Sequence, residues 1–269
     1  MLTVRKSKYP IFGLFCLVQI CISGVVRAES MVFIPRATVG YMDYRLSTPG
    51  IPLPPSTGVS RTTPNRYKAT MTSYGVGLTF FKNGFYMDNV AQTTTEGKDS
   101  LTAPALNYSE NFSGIRNDIS SSIGYTITDT SSVYFGYKFG KTTVEGNRGS
   151  RPIFKAAGSF IGGAYGVRFG EKSVLSLNLA VAQLHGEIDY TIIFPFFNSD
   201  LSAVTETVGF SYGFMWRSNI TGNLMYSVSY DIYEYTFKDI IDRRIASYSG
   251  EFVEKMRNAK LAISYNFGL

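Results

Sequence analysis

A single histidine carries most of the conventional chemistry in this chain. His185 is followed at intervals of two by Glu187 and Asp189. In an extended strand that spacing puts all three side chains on one face. An imidazole beside carboxylates is what a general base and its orienting acid require. The group is too small for a metal centre, which needs several imidazoles or converging carboxylates, and no cofactor is expected. Gly162-Gly163-x-x-Gly166 has a glycine-rich look, but no helix follows it, so it lacks the helix N-terminus that a nucleotide loop uses. A lone histidine among solvated neighbours is the plainer account of His185, and the chain is read as non-enzymatic.

The first 28 residues read as a secretory signal peptide. Arg5, Lys6 and Lys8 form a basic start, Ile11 to Val26 an apolar core, and Val26-Arg27-Ala28 a small-residue cleavage site. The apolar core is short of the roughly 20 residues that a membrane-spanning helix needs. Both cysteines, Cys16 and Cys21, lie inside this segment, so the mature chain 29–269 has neither a disulfide nor a cysteine metal site. Four of the 26 basic residues leave with it, and 22 against 20 acidic residues give a net charge of +2 rather than +6. The basicity belongs to the export segment and implies no nucleic-acid partner.

The mature chain alternates bulky and small residues through ten strand-like segments. Val133, Phe135, Tyr137 and Phe139 alternate with Tyr134, Gly136, Lys138 and Gly140; Leu175, Leu177, Leu179 and Val181 alternate with Ser176, Asn178, Ala180 and Ala182. Lys82-Asn83-Gly84 is a tight hairpin signal. The segment after it, Phe85–Gln92, is the faintest of the ten, so eight or twelve strands are alternatives. Short turns follow every second segment and longer connections follow the others. No helix-length apolar run follows the signal peptide, so any crossing of a membrane falls to strands, which need about 9–11 residues when tilted and must close because lipid satisfies no sheet edge. A two-sheet sandwich would use the same greasy faces as its core.

The last eleven residues carry the strongest pattern. Ala259, Leu261, Ile263, Tyr265, Phe267 and Leu269 form one apolar set, and Lys260, Ala262, Ser264, Asn266 and Gly268 form the other, small and polar. This terminal strand resembles the closing strand of Gram-negative outer-membrane β-barrels. The resemblance covers the chain after residue 28. It implies a closed antiparallel up-and-down barrel with both termini periplasmic and a cell outer-membrane location. It also implies contact with lipid, lipopolysaccharide and the barrel assembly machinery, which reads a C-terminal signal here represented by Tyr265, Phe267 and Leu269. Phe80, Phe81, Phe85, Phe135, Phe169, Phe214, Trp216 and Phe267 fall near the short-turn ends, where an aromatic girdle is expected.

Extending each alternation places Arg36, Asp88, Arg116, Asp118, Lys138, Arg168, Asp231 and Lys260 on the lumen face. In a narrow barrel they are expected to pair into a network that fills the interior, with a thin polar or anion-conducting passage as the alternative. Function is expected in the long connections. The fourth holds Ile192, Ile193, Phe194, Phe196 and Phe197 around Pro195, an apolar cluster of the kind that marks contact with a host or surface ligand. A rim hydrolase is the third reading. The omptin proteases and lipid A acyl-hydrolases work at the height of His185. However, the paired aspartates of the first have no counterpart here, and the His-x-Ser of the second reads His185-x-Glu187.

Overall fold

The computed structural model describes residues 31–48, 65–103, 108–193, 198–242 and 251–268. The export segment, much of the first and fifth connections, Phe194–Phe197 and Leu269 lie outside them. Among the described residues there is no helix. The strands are β1 (Val32–Thr48), β2 (Asn65–Lys82), β3 (Phe85–Thr94), β4 (Gly97–Ala103), β5 (Tyr108–Thr128), β6 (Ser131–Gly146), β7 (Ile153–Phe169), β8 (Ser173–Ile193), β9 (Asn198–Thr221), β10 (Leu224–Asp242), β11 (Phe252–Tyr265) and β12 (Phe267–Gly268). Strands pair antiparallel around the sheet in the order β1-β2-β3-β5-β6-β7-β8-β9-β10-β11, and β11 pairs with β1 to close it. β3 and β4 both pair with β5 and form one stave; β11 and β12 both pair with β1 and form another. The result is a closed ten-strand antiparallel barrel. The faint segment after Gly84 is a full member of the wall.

Short turns gather at one end. The tightest is Asn83-Gly84, whose φ values of 52° and 80° are the left-handed pair that a two-residue hairpin requires. The other end is less loop-like than its sequence suggests. Residues read as a second long connection form β4 and the start of β5. The third connection is only residues 147–152, pinned by the Gly146 amide donating to the Ser150 carbonyl at 2.7 Å.

The wall has two zones of opposite polarity. Near the turn end, bulky residues point outward: Leu177 and Val76 are 59% and 64% exposed, as are Ile119, Ile161, Phe210 and Ile263 to similar degrees. This is the apolar belt of a membrane barrel. Nearer the loop end the outward positions turn polar (Asp43, Arg45, Lys68, Lys155, Lys255), while Met42, Tyr44, Leu46, Phe154, Ile188, Phe237, Phe252 and Met256 pack inside the barrel. Within the belt the lumen is lined mainly by small, polar and ionic groups, with Ile34, Val90, Tyr134, Phe160 and Met215 among them. Beyond it the barrel is built like a water-exposed domain, apolar within. Phe81 is a second correction: its position in β2 faces the lumen, where it lines the cavity instead of joining the girdle.

Candidate functional site

The interior is a funnel that narrows from the turn end and closes toward the loop end. A cavity of about 680 Å³ opens among the turns, bounded by Tyr86, Asp129, Arg168, Arg217 and Asn266. It overlaps one of about 400 Å³ in which Arg36, Asp88, Asp231 and Lys260 sit. Arg36 donates to Asp88 at 2.7 Å, and the Thr79 hydroxyl donates to the same carboxylate at 2.6 Å. Lys260 meets Asp231 at 2.7 Å. Arg168 meets Asp129 at 3.1 Å at the exposed mouth. Arg217, on β9, has no ion-pair partner among the described residues.

Farther in, the space shrinks to pockets of about 150–160 Å³ around Lys138. The Lys138 ammonium reaches across from β6 to donate to the Tyr235 hydroxyl, and it lies 4.8 Å from the Tyr233 ring centroid. Beyond this neck the lumen is shut by a buried polar knot inside the apolar packing. Arg116 is 2% exposed and Glu254 1%. The guanidinium donates to Glu254 at 2.6 Å, to both Asp118 oxygens at 2.8 Å and to the Thr142 hydroxyl at 2.9 Å. Tyr44 and Thr142 donate to the same Glu254 oxygen at 2.7 and 3.0 Å. The knot ties β1, β5, β6 and β11 across the lumen, and every polar arm of Arg116 is satisfied, as a buried charge demands.

Of the eight charged residues read as lumenal, six form three pairs at different depths, Arg36–Asp88, Lys260–Asp231 and Arg116–Asp118, whereas Lys138 donates to Tyr235 and Arg168 meets Asp129 at the exposed mouth. Sequence reasoning missed Glu254, Tyr44 and Arg217. Glu254 shares the phase of Lys260 along β11 and becomes visible once the terminal alternation is followed back to Phe252. Also missed was a second buried carboxylate. Glu110 accepts from the Tyr108 and Ser150 hydroxyls and, at 2.8 Å, from the Arg148 amide, and so pins the third connection to β5. Burial first, and the Glu110 carboxylate second, raise the Tyr108 phenol well above its usual range, outside the belt.

The histidine group does not converge. His185 lies exposed on the outer wall, opposite Ala157 and Glu206 in register. Glu187 is taken by Lys155 at 2.8 Å and Asp189 by the Ser202 hydroxyl at 2.7 Å. Among the described residues no three metal-ligating side chains come together. Ile192 and Ile193 belong to β8 rather than to a loop, and Ile192 is buried in the lumen. Phe194, Phe196 and Phe197 lie outside the described residues. Tyr265 and Phe267 form a tilted ring pair, centroids 4.5 Å apart, on the outer wall at the barrel's seam.

No family model and no curated protein matches the chain. Solved structures do. The outer membrane protease OmpT of Escherichia coli superposes with a TM-score of 0.66 at 10% identity, over 91% of this chain and 99% of that one. The translocator domain of the autotransporter NalP of Neisseria meningitidis gives 0.48 at 8% identity, over 90% of each chain. Ail, the attachment invasion locus protein of Yersinia pestis, gives 0.32 at 12% identity, over 87% of this chain and 99% of that one. The OmpT likeness shows the fold, that of a Gram-negative outer-membrane β-barrel.

Proposed function

We propose that the chain is a non-conducting, non-enzymatic barrel of the Gram-negative outer membrane that presents its loop end to a partner at the cell surface. Residues 1–28 direct export, the terminal Tyr265, Phe267 and Leu269 address the assembly machinery, and both chain ends face the periplasm. The observation that carries this reading is the closed loop half of the lumen. A passage would have to run through Arg116, Glu254, Tyr44 and Phe237, all buried and bonded or packed. His185 stands exposed, with Glu187 bonded to Lys155 and Asp189 to Ser202 and only Glu206 opposite it in register, and this supports the absence of catalysis, because a general base must be held against its partner. The polar collar and connections past the belt then carry what specificity the protein has.

Planar-bilayer recording of the folded barrel tests this. No stepwise ion current is expected. Steady single-channel steps that disappear when Lys138 and Arg168 are replaced by glutamine would establish the polar passage instead and end the surface-protein reading.

A further inference from the structure

On the outer wall just past the belt, three adjacent strands carry basic residues at facing positions. Lys68 of β2 is the register partner of Arg45 of β1, and Arg45 is the partner of Lys255 of β11. Arg257 faces Asp43 one pair nearer the belt, and Arg66 faces Ser47 one pair farther away. Like charges directly opposite one another repel. The protein relieves only part of this. Arg45 bonds Asp43 at 2.8 Å and Lys255 bonds Glu234 at 2.9 Å, while Asp99 accepts the Lys68 backbone amide at 2.6 Å. The Lys68 ammonium and the Arg257 guanidinium have no partner among the described residues, and the Arg257 Nε is buried without a hydrogen bond. Directly beneath the row lie exposed Val39, Tyr41, Tyr74 and Leu261, with the Tyr41 hydroxyl 3.3 Å from the Thr70 hydroxyl.

Cations above an apolar wall at a membrane boundary complement an anionic lipid. The row spans three strands, about 10 Å at the usual spacing, wider than one phosphate can bridge at hydrogen-bond distance. We propose that this wall binds a membrane lipid bearing two phosphates, of the lipopolysaccharide class. Its phosphates pair with Lys68 and Arg257, and its acyl chains lie along Val39, Tyr41 and Leu261. Guanidinium and ammonium groups are the natural phosphate partners. The proposal deepens the surface-barrel reading and rests on it for which leaflet the row faces.

The test uses the folded barrel in zwitterionic nanodiscs, titrated with bisphosphorylated lipid A, its monophosphoryl form and inorganic phosphate. The bisphosphorylated lipid is expected to bind most tightly. The double variant Lys68→Gln/Arg257→Gln is expected to bind it about 30-fold more weakly, at roughly fivefold per cation near a charged surface. The variant Lys141→Gln/Lys172→Gln, which loses the same charge elsewhere, is expected to bind as the unmodified barrel does. Equal weakening by both double variants, no weakening by the first, or equal binding of the two lipid forms would overturn the site. Inorganic phosphate that competes at the lipid's own concentration would reduce it to a simple ion site and overturn the lipid. Nanodisc binding is independent of orientation and of ion conduction, so its failure leaves the non-conducting reading untouched, and a current in bilayers leaves the lipid site standing.

Discussion

Glu254→Ala is expected to lower the free energy of unfolding by about 3–5 kcal/mol, because it strands a buried arginine. Three donors converge on one Glu254 oxygen, from Arg116, Tyr44 and Thr142, and alanine leaves all of them facing apolar packing. Asp118 still holds two arms of the guanidinium, which limits the loss to the cost of breaking one partner of a pair. Two further variants separate charge from packing. Glu254→Gln keeps an acceptor for Tyr44 and Thr142, and its loss is expected to be smaller than that of alanine. Arg116→Leu/Glu254→Leu removes both charges with comparable volume, and it is expected to recover most of the stability, since buried ion pairs are often no better than apolar isosteres. Urea unfolding in vesicles, followed by the fluorescence of the only tryptophan, Trp216, measures all three. A loss below about 1 kcal/mol for alanine would mean that the knot contributes no more than an ordinary exposed pair.

The two-zone wall explains which parts of the fold were legible in the sequence. Strand existence was, because alternation has a period of two whichever face is greasy. Polarity past the belt was not, because the apolar phase switches within single strands. In β1 the bulky set runs Val39, Tyr41 and then jumps to Met42, Tyr44, Leu46. In β8 it runs Leu177, Leu179, Val181 and then Leu184, Ile188, Ile192; in β11 it runs Phe252, Met256 and then Leu261, Ile263. A pattern that breaks phase looks like the end of a strand, so Ile192 and Ile193 of β8 and the start of β11 before Ala259 read as loop, although β1 is legible as far as Leu46. Physically the break is the hydrocarbon boundary: on one side lipid takes the bulky groups, and on the other they must turn inward away from water. The same switch hid Glu254 and made Ile192 look like a loop residue. The lumenal charges were legible because they lie in phase with small residues inside the belt, yet their partners were not, since pairing across a barrel depends on which staves face each other.

The inversion itself predicts the second large effect. Leu177→Lys is expected to destabilise the folded barrel by about 2–4 kcal/mol, the cost of a lysine near the middle of the hydrocarbon on the lipid face of a barrel. Asn178→Lys, one residue on, is expected to cost less than about 1 kcal/mol, because Asn178 points the other way and lines the open cavity. Adjacent residues with the same substitution share strand, depth and propensity, so the difference between them isolates the face. Urea titration of both variants in the same vesicles reads that difference directly. Equal costs would mean that Leu177 does not face lipid. A larger cost at Asn178 would mean that Asn178, and not Leu177, lies in apolar surroundings, and the assignment of the two faces would be reversed.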